Sequence, residues 1–427
     1  MNIWARRTYF IITILVFILV AIVLIFYASG WRYNSSTNKL GLVGAITVDT
    51  EPNNAIVYLN DDKLKGNTPT NYNTIIEDNY DLKIYKEGYF DWVKNISIEQ
   101  SKTTRIPKVQ LLKKQDDLKP LLSYEKINNF SFSPDKNKIA ISTPGLFEII
   151  DLDANKTIFT KKTEQVITNI QWNINSERLI YYSSLDGYTA TNLRTSKELL
   201  INLILDNIID NIYWSTNEED IIFITSHNVL HRINIFQNIV TEILSEKNIV
   251  FSIEDKYFNL QNNNLQVIDQ EEKQLATINI SDDSKLFFLD QFEDYLPIIN
   301  QTNNKAYFYN LSDNSFEEIN ETVENIKWIN NKLLFSNNHE IWCWDKNEST
   351  KEIILRTSEN ISQADWLLNE YYTLYTTNNE DLNIIQSVGT QKNTYSLGIN
   401  NITNITSKYS ENVVYIVTDK DIYKLEF

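Results

Sequence analysis

The sequence predicts a mainly β protein that consists of an N-terminal transmembrane helix, a small β-module and a larger β-propeller. Three observations predict this fold class. Residues 8–30 contain no charged side chain. Residues 44–114 show short, roughly alternating apolar and polar runs. Residues 115–427 repeat an apolar, polar, aromatic triplet about every 38 to 42 positions. Each repeat continues with further short extended runs, and four strands per repeat are typical of a propeller blade.

The apolar segment at the N-terminus is predicted to anchor the chain in the cell membrane. Residues 1–7 are expected in the cytoplasm, because Arg6 and Arg7 precede the apolar run and positive charge marks the cytoplasmic side. Residues 8–30 suffice to cross a hydrocarbon core of ~30 Å as a helix. The sequence therefore predicts a single-pass signal anchor with the later domains outside the cytoplasm. A cleaved signal peptide is the alternative, because Ala28-Ser29-Gly30 resembles a processing site.

A juxtamembrane linker over residues 31–43 and a β-module over residues 44–114 are predicted to follow. The module shows extended runs separated by polar turns. The predicted strands are Ala45 to Val48, Ala55 to Leu59, Asp81 to Tyr85, Val93 to Ile98 and Thr103 to Leu111.

This module resembles a known family. GAITVDTEPNNAIVYLNDDKLKGNTPT, followed by YDLKIYKEGYFDWVKNISIE, resembles the PEGA domain, a small β-sandwich found in bacterial envelope and surface proteins. Asp61-Asp62 and Asn79 stand where the family usually has Gly, and both residue types tolerate left-handed backbone angles. The segment YASGWRYNSSTNKLGLVG is similar to the lead-in of single-pass PEGA proteins, which favours an uncleaved anchor. The matching positions are Pro52, Ala55, Val57, Gly66-Asn67-Thr68-Pro69, Lys86, Gly88-Tyr89, Trp92 and Lys94.

The propeller prediction depends on the spacing of its anchors. Trp214 and Trp328 are 114 residues apart, which is three steps of 38 and predicts two degenerate copies near Phe251 and Phe288. Eight anchors predict eight blades, and seven is the alternative because the fourth and fifth copies are inferred mainly from spacing. We interpret the anchor rings as core between neighbouring sheets. The eight anchors lie near positions 132, 172, 214, 251, 289, 328, 366 and 405.

The ends of the repeat region predict how the ring closes. The last copy has room for about three strands before Phe427, and residues 118–124 precede the first anchor at the spacing of a fourth strand. Pairing of the two ends would leave no open sheet edge. Phe130-Ser131-Phe132-Ser133-Pro134-Asp135, followed by Lys138-Ile139-Ala140, resembles WD40-like and TolB-like propellers, in which this element is a hairpin turn. In later repeats the Ser-Pro-Asp element has diverged, and Asn173 to Ser176 and Ser215 to Glu218 stand in its place.

Composition excludes several functional classes. A net charge of −17 makes nonspecific binding of nucleic acid unfavourable. A single cysteine, Cys343, allows no intramolecular disulfide and is expected to be a small buried thiol. The sequence contains no Gly-x-Ser-x-Gly elbow, Walker loop, Gly-x-Gly-x-x-Gly or His-Glu-x-x-His motif.

No residue emerges from the sequence as a catalytic, cofactor-binding or metal-binding residue. His227 and His231 lie on two predicted strands around a turn, too far apart to share a metal. His339 is the third histidine. Asp151 to Asn155 opens like a calcium loop, but Lys156 and Lys162 replace the required Gly and Glu, so we expect a solvated turn.

The leading functional hypothesis is a membrane-anchored extracytoplasmic protein of the bacterial cell envelope that binds a protein or a cell-wall polymer without chemistry. A propeller glycoside hydrolase or lyase acting on envelope polysaccharide is the alternative, and an assembly scaffold is a third. Many turns are acidic or amide-rich, which favours a basic or hydrogen-bonding partner. Examples are Asn217 to Asp220, Asp282-Asp283, Asn337-Asn338 and Asn378 to Asp381.

Overall fold

The structure is a computed structural model that divides into two compact units. One unit comprises residues 1–116 with 389–395 and 427, and the other comprises residues 117–388 with 396–426. The residues that the structure describes are 3–34, 39–115, 117–204, 209–235, 237–281, 284–289, 291–348, 350–378, 381–389 and 391–427.

The first element is a long apolar helix, α1, at Ile3–Ala28. Its segment Arg7–Ala28, whose most apolar 18 residues have a mean hydropathy of 3.3, is the one helix in the described part of the chain that is long and apolar enough to cross a membrane. The Arg32 guanidinium donates a 2.7 Å hydrogen bond to the Tyr27 carbonyl and lies 3.8 Å from the centre of its ring. A cation at this place satisfies one of the last carbonyls of the helix and complements the helix dipole.

The β-module is a two-layer sandwich around one core. One sheet has the order β1-β2-β6 with β9 parallel to β2, the other has the order β5-β4-β7-β8, and β10 pairs with β3. Ile46 of β2, Val57 of β4 and Ile84 of β7 are fully buried in the shared core. The strands are β1 Trp31–Asn34, β2 Lys39–Val48, β3 Thr50–Glu51, β4 Ile56–Leu59, β5 Asp62–Asn67, β6 Thr70–Ile76, β7 Asp78–Tyr85, β8 Trp92–Ile98, β9 Thr103–Arg105 and β10 Val109–Gln110.

The module contains more strand than the sequence predicted. β1 and the start of β2 occupy described parts of the predicted linker 31–43, where Arg32 pairs with Gly41. β5 is largely solvent-exposed and β6 is only partly buried, so neither shows a regular alternation of buried and exposed residues. The predicted strand Thr103 to Leu111 is divided into β9 and β10.

The two departures from the PEGA pattern behave differently. Asp61 has a φ of 67° in the turn before β5, as the sequence predicted. Asn79 lies within β7 opposite Ser97. The prediction of a turn at Asn79 is therefore wrong. In the Thr-Pro turn, the buried Thr68 hydroxyl accepts a 2.9 Å hydrogen bond from the Ala55 amide. Short polar side chains thus hold the turns of this module.

The described part of residues 117–427 forms eight four-stranded antiparallel sheets. The first strand of this region, β11 Leu122–Ser123, belongs to sheet 8. Sheet 1 contains β12 Asn129–Phe132, β13 Lys138–Thr143, β14 Leu146–Asp151 and β15 Lys156–Lys162. Sheet 2 contains β16 Thr168–Trp172, β17 Arg178–Ser183, β18 Gly187–Asn192 and β19 Lys197–Leu200. Sheet 3 contains β20 Asn211–Trp214, β21 Ile221–Ser226, β22 Val229–Asn234 and β23 Ile239–Leu244.

The remaining sheets repeat this arrangement. Sheet 4 contains β24 Ile249–Ile253, β25 Lys256–Gln261, β26 Asn264–Ile268 and β27 Gln274–Asn279. Sheet 5 contains β28 Leu286–Phe288, β29 Tyr295–Asn300, β30 Lys305–Asn310 and β31 Ser315–Thr322. Sheet 6 contains β32 Asn325–Ile329, β33 Lys332–Ser336, β34 Glu340–Asp345 and β35 Thr350–Arg356. Sheet 7 contains β36 Ile361–Leu367, β37 Tyr372–Thr377, β38 Leu382–Gln386 and β39 Thr394–Ser396, and sheet 8 adds β40 Ile402–Lys408, β41 Val413–Thr418 and β42 Asp421–Glu426.

The predicted anchors lie in or beside the first strand of sheets 1 to 7, including Phe251 in β24 and Phe288 in β28, and in β40 of sheet 8. Three tryptophans also connect neighbouring first strands. Trp172, Trp214 and Trp366 donate from their indole nitrogens to carbonyls of the preceding sheet at 3.1 to 3.2 Å. The propeller fold and the core role of the rings therefore agree with the sequence, while the blade count stays a prediction.

The two ends of the propeller region meet in sheet 8. Leu122 of β11 lies opposite Ile422 of β42, and the Leu121 amide donates to the Ile422 carbonyl at 2.7 Å. Buried side chains from sheets 8 and 1, among them Val417 and Ile139, share one core. The segment expected to close the ring thus supplies the fourth strand of this sheet.

The first turn of the sheets keeps a short polar residue even where the Ser-Pro-Asp element is lost. The buried Ser133 hydroxyl accepts from the Lys138 amide at 2.9 Å. Asn173, also buried, accepts from the Arg178 amide at 2.9 Å through Oδ1. In sheet 3 the Ser215 hydroxyl instead accepts from the Asn217 and Glu218 amides within the turn. The degraded copies therefore retain the hydrogen-bonding function of the turn.

Candidate binding surface

Each sheet presents two ends where side chains are accessible to a partner. At one end lie the turn between its second and third strands and the connection to the next sheet; we call this the linking end. The turns after the first and third strands lie at the opposite end.

The interfaces between sheets contain the buried charges. Among the described residues, four Asp, Glu, Lys or Arg side chains are at least nine-tenths buried, and each contacts a neighbouring sheet: Glu148, Arg178, Asp365 and Lys408. Buried charges are tolerated when they are paired and hydrogen-bonded. These groups therefore hold the sheets together.

Asp365 connects sheets 7 and 8. It is 1% exposed, and its carboxylate accepts hydrogen bonds from the amides of Trp366 and Ser407 at 2.8 and 3.1 Å. The Tyr409 hydroxyl donates to the same carboxylate at 2.5 Å. Burial, together with the Asp365 charge, strongly raises the pKa of Tyr409. Three donors thus stabilise this carboxylate, and one of its oxygens serves two of them.

Arg178 connects sheets 2 and 3. Its guanidinium lies 3.3 Å from the Glu219 carboxylate and 2.8 Å from that of Asp220. Glu218, next to them in the same turn, pairs with Arg232 at 2.7 Å. The three acids of the turn at residues 217–220 are therefore held in ion pairs within the protein.

The junction of sheets 8 and 1 contains two of the buried groups. Lys408 lies 3.4 Å from Asp153 and 2.6 Å from Glu411. The Tyr124 hydroxyl donates to Glu148 at 2.5 Å, and burial followed by this contact raises the pKa of Tyr124. These bonds reinforce the strand pairing that closes the region.

A triad of the fully buried Tyr181 and the partly buried Lys161 and Glu198 lies between sheets 1 and 2. Lys161 donates to the Tyr181 hydroxyl at 3.0 Å and to Glu198 at 3.2 Å, and Tyr181 donates to Glu198. Burial, followed by the hydrogen bond to Glu198, raises the pKa of Tyr181 to about 12. The tyrosine therefore keeps its proton at physiological pH and acts as a donor.

The residues considered for metal chemistry are not brought together. No group of three His, Cys, Asp or Glu side chains that could hold a metal occurs in the described ranges. The two predicted strands and their turn are present, with His227 in the turn after β21 and His231 in β22. The Asp151 carboxylate accepts from the Asp153 and Ala154 amides, so it closes its own turn. Burial raises the pKa of Cys343 to about 11, which makes it a poor nucleophile.

The amide and acidic turns singled out by the sequence do not share one end of the sheets. Asn217 to Asp220 follow the first strand of sheet 3 and lie at the opposite end. Asn337-Asn338 and the described part of 378–381 follow second strands and lie at the linking end. Asp282-Asp283 fall outside the described residues. The expected acidic surface is therefore not one continuous face.

Asparagine has a structural role in many turns. It is the most frequent residue among those with left-handed backbone angles, for example Asn262 and Asn263 with φ of 56° and 57° between β25 and β26. Asn adopts this conformation more readily than most other residues, and the chain contains only nine glycines. Turn asparagines are therefore weak indicators of a ligand.

Sequence reasoning missed the four buried charges. Asp365 occupies the polar position of its anchor triplet, where Gln171 and Lys327 stand in other copies, so a carboxylate there was the visible signal. Glu148, Arg178 and Lys408 follow no period. Their roles become evident only when neighbouring sheets are placed side by side.

Comparison with known proteins agrees with this architecture. Residues 43–113 match the PEGA domain family. The chain is similar to the crystal structure of the C-terminal WD40 domain of Sif2, with 11% identity and a TM-score of 0.51 over 73% of this chain and 99% of that one. It is also similar to BamB from Moraxella catarrhalis, with 10% identity and a TM-score of 0.47 over 73% of this chain and 100% of that one. No curated protein matches the chain.

At 11% identity, the WD40 similarity shows the fold alone. The chain combines a PEGA domain at residues 43–113 with a WD40-like β-propeller, preceded by one apolar helix that is a candidate membrane anchor.

Proposed function

We propose that this chain is a membrane-anchored binding protein of the bacterial cell envelope. Its propeller holds a protein or a cell-wall polymer outside the cytoplasm and does not convert it. The apolar helix α1 would supply the anchor, and Arg6 and Arg7 favour a cytoplasmic N-terminus. The PEGA domain, which the family resemblance associates with bacterial envelopes, supports the location.

The binding role is supported by the buried charges, which form contacts between neighbouring sheets. A carboxylate-based hydrolase needs two carboxyl groups that face a substrate about 5 to 10 Å apart. The two buried carboxylates, Glu148 and Asp365, instead accept hydrogen bonds from Tyr124 and Tyr409 of the neighbouring sheet. Groups fixed in this way support the architecture and leave recognition to the exposed ends of the sheets.

The enzyme alternative has one residue in its favour. Burial raises the pKa of Glu324, which precedes the first strand of sheet 6, and a raised pKa suits a general acid. The Asn338 amide contacts this carboxylate. A binding protein does not require a general acid at this position. Loss of turnover in Glu324→Gln would therefore indicate the enzyme, whereas the binding protein should bind its partner equally well with either residue.

The test uses the full-length protein in lipid nanodiscs with isolated cell-wall polymer and with envelope proteins. We expect co-sedimentation with the polymer, or a reproducible crosslinked protein partner, and no release of new reducing ends or unsaturated sugars. Glu324→Gln should bind as the parent protein does. Turnover that disappears in Glu324→Gln, or in another single carboxylate variant, would establish the enzyme instead.

A further inference from the structure

Sheet 2 exposes three large aliphatic side chains at its linking end. Leu185, in the turn between β17 and β18, is 78% exposed, and Leu203, after β19, is 80% exposed. Val166, in the connection that enters β16, is 52% exposed. An apolar residue such as Leu185 is unusual in a tight turn, where polar residues and glycine predominate. These residues form the sheet 2 patch.

Hydrogen bonds fix the segments that carry this patch. The Ser184 hydroxyl donates to the Gln165 side chain, which joins the neighbours of Leu185 and Val166. The Tyr188 amide donates to Asn202 Oδ1 at 2.8 Å, which joins β18 to the residue before Leu203. The patch is therefore a pre-formed surface on a rigid scaffold.

Two aromatic rings lie at the same end of sheet 2. Tyr182 and Tyr188 face each other across β17 and β18 with ring centres 5.0 Å apart, and Tyr182 is 37% exposed. Partly exposed tyrosines beside aliphatic side chains are typical of the anchoring positions of protein interfaces.

The charged side chains in the described segments that carry the patch are acidic, and Lys162 at the end of β15 is the nearest base in the sequence. Glu164 precedes Val166 by two residues and Asp186 follows Leu185, and neither forms an ion pair with the described residues. At the opposite end of the same sheet, Glu177 pairs with Arg194. A polypeptide that covers the sheet 2 patch therefore binds more tightly if it carries Lys or Arg side chains that meet these carboxylates.

The same asymmetry extends along the linking ends of the other sheets. Acids outnumber bases in their described turns, and within the described chain none of these acids is in an ion pair, whereas several acids of the opposite end are paired with Lys or Arg. The acids are Glu125, Glu164, Asp186, Asp210, Glu246, Glu324, Glu359, Asp381 and Asp419, and the bases are Lys126, Lys247, Lys285 and Lys420.

We propose that the sheet 2 patch is a docking surface for a basic, amphipathic polypeptide segment. Its apolar residues bury Leu185, Leu203 and Val166, and its Lys or Arg residues meet Glu164 and Asp186. The proposal rests on the binding function above and names the class of partner. Anionic lipid would be repelled by the two carboxylates, so a membrane surface is disfavoured as the occupant.

The test measures binding of a fluorescent amphipathic Lys/Leu peptide to the full-length protein in zwitterionic nanodiscs by anisotropy. We expect Leu185→Ser with Leu203→Ser to lower affinity about tenfold or more, since each buried leucine contributes substantially to an interface. Glu164→Gln with Asp186→Asn should lower affinity at low salt and have less effect at high salt, because salt screens exposed charges.

The matched control is Ile174→Ser, which removes a 51% exposed aliphatic side chain at the opposite end of the same sheet. This variant should bind the peptide as the parent protein does, and all variants should share its melting temperature. Equal loss in Ile174→Ser, or unchanged affinity in the double leucine variant, would overturn the proposal.

Two further probes test the occupant. A Glu/Leu peptide of the same length should bind much more weakly, and Leu185-dependent binding of anionic vesicles would assign the patch to a membrane and overturn the proposal. These outcomes are independent of polymer turnover, so failure of this proposal and failure of the binding function can be distinguished.

Discussion

The junction between sheets 4 and 5 and the junction between sheets 7 and 8 are built from different chemistry. In the first, Phe251 stacks on Phe288 with ring centres 4.4 Å apart, and Phe258 packs edge-on against Tyr309. In the second, the buried Asp365 carboxylate binds donors of both sheets. The aromatic junction depends on area and shape, whereas the polar junction depends on the position of each hydrogen-bonding atom.

This difference determines which substitutions each junction should tolerate. Cores accept other apolar side chains of similar volume at a cost below about 1.5 kcal/mol. A buried donor that loses its acceptor costs about 1 to 3 kcal/mol. Conservative changes should therefore be mild at the aromatic junction and severe at the polar junction.

The largest effect is expected for Asp365→Asn compared with Phe251→Leu. The new amide can accept from Tyr409, but its nitrogen then faces the Ser407 amide as a second donor. We expect Asp365→Asn to lower the free energy of unfolding by about 2 to 4 kcal/mol and Phe251→Leu by about half as much or less. Urea unfolding of the full chain, followed by tryptophan fluorescence, measures both. Equal losses would show that the chemistry of a junction does not set its tolerance.

The next effect concerns Arg178, which joins two sheets, and Arg232, which stabilises a turn. The Arg178 side chain is 9% exposed and that of Arg232 is 33% exposed. Arg178→Met should cost about 1 to 3 kcal/mol, because it leaves two carboxylates without their cation. Arg232→Met should cost less than about 1 kcal/mol, as is usual for exposed ion pairs. An Arg232→Met variant that is less stable than the Arg178→Met variant would contradict this expectation.

The two kinds of junction also differ in how much of them the sequence reveals. Aromatic anchors recur at a fixed period, so even the degenerate copies at Phe251 and Phe288 could be located by spacing. Polar contacts between sheets depend on which residue faces a side chain some 40 positions away. The carboxylate in its anchor triplet was the one sign of Asp365 in the sequence, and Arg178 has no such sign. The sheet 2 patch is an intermediate case. The sequence shows the apolar Leu185 in a predicted turn, but it does not show that Val166 and Leu203 lie at the same end of the sheet.

Alkaline pH should weaken the junction of sheets 1 and 2. Unfolded tyrosine loses its proton near pH 10, whereas Tyr181 in the folded protein holds it to about pH 12. The folded state thus binds more protons between these values, so stability is fully present below pH 10 and falls as pH rises towards 12. We expect Tyr181 to contribute a loss of about 1 kcal/mol by pH 11. Tyr181→Phe should remove this part of the slope in urea midpoints, and an unchanged slope would contradict the assignment.

The smallest effect is expected from removing an indole N–H, and two tryptophans provide a matched pair. Trp172 donates to the Ser131 carbonyl of the preceding sheet at 3.1 Å. The Trp328 indole nitrogen is buried without an acceptor among the described residues, while its ring stacks on Phe292 at 4.8 Å. Both changes to Phe lose similar ring area, but Trp172→Phe also leaves the carbonyl unpaired. Trp172→Phe should therefore cost about 1 kcal/mol more than Trp328→Phe in the same urea assay. If Trp328→Phe costs as much or more, its indole nitrogen has a bound water or another acceptor, and the hydrogen bond does not distinguish the two anchors.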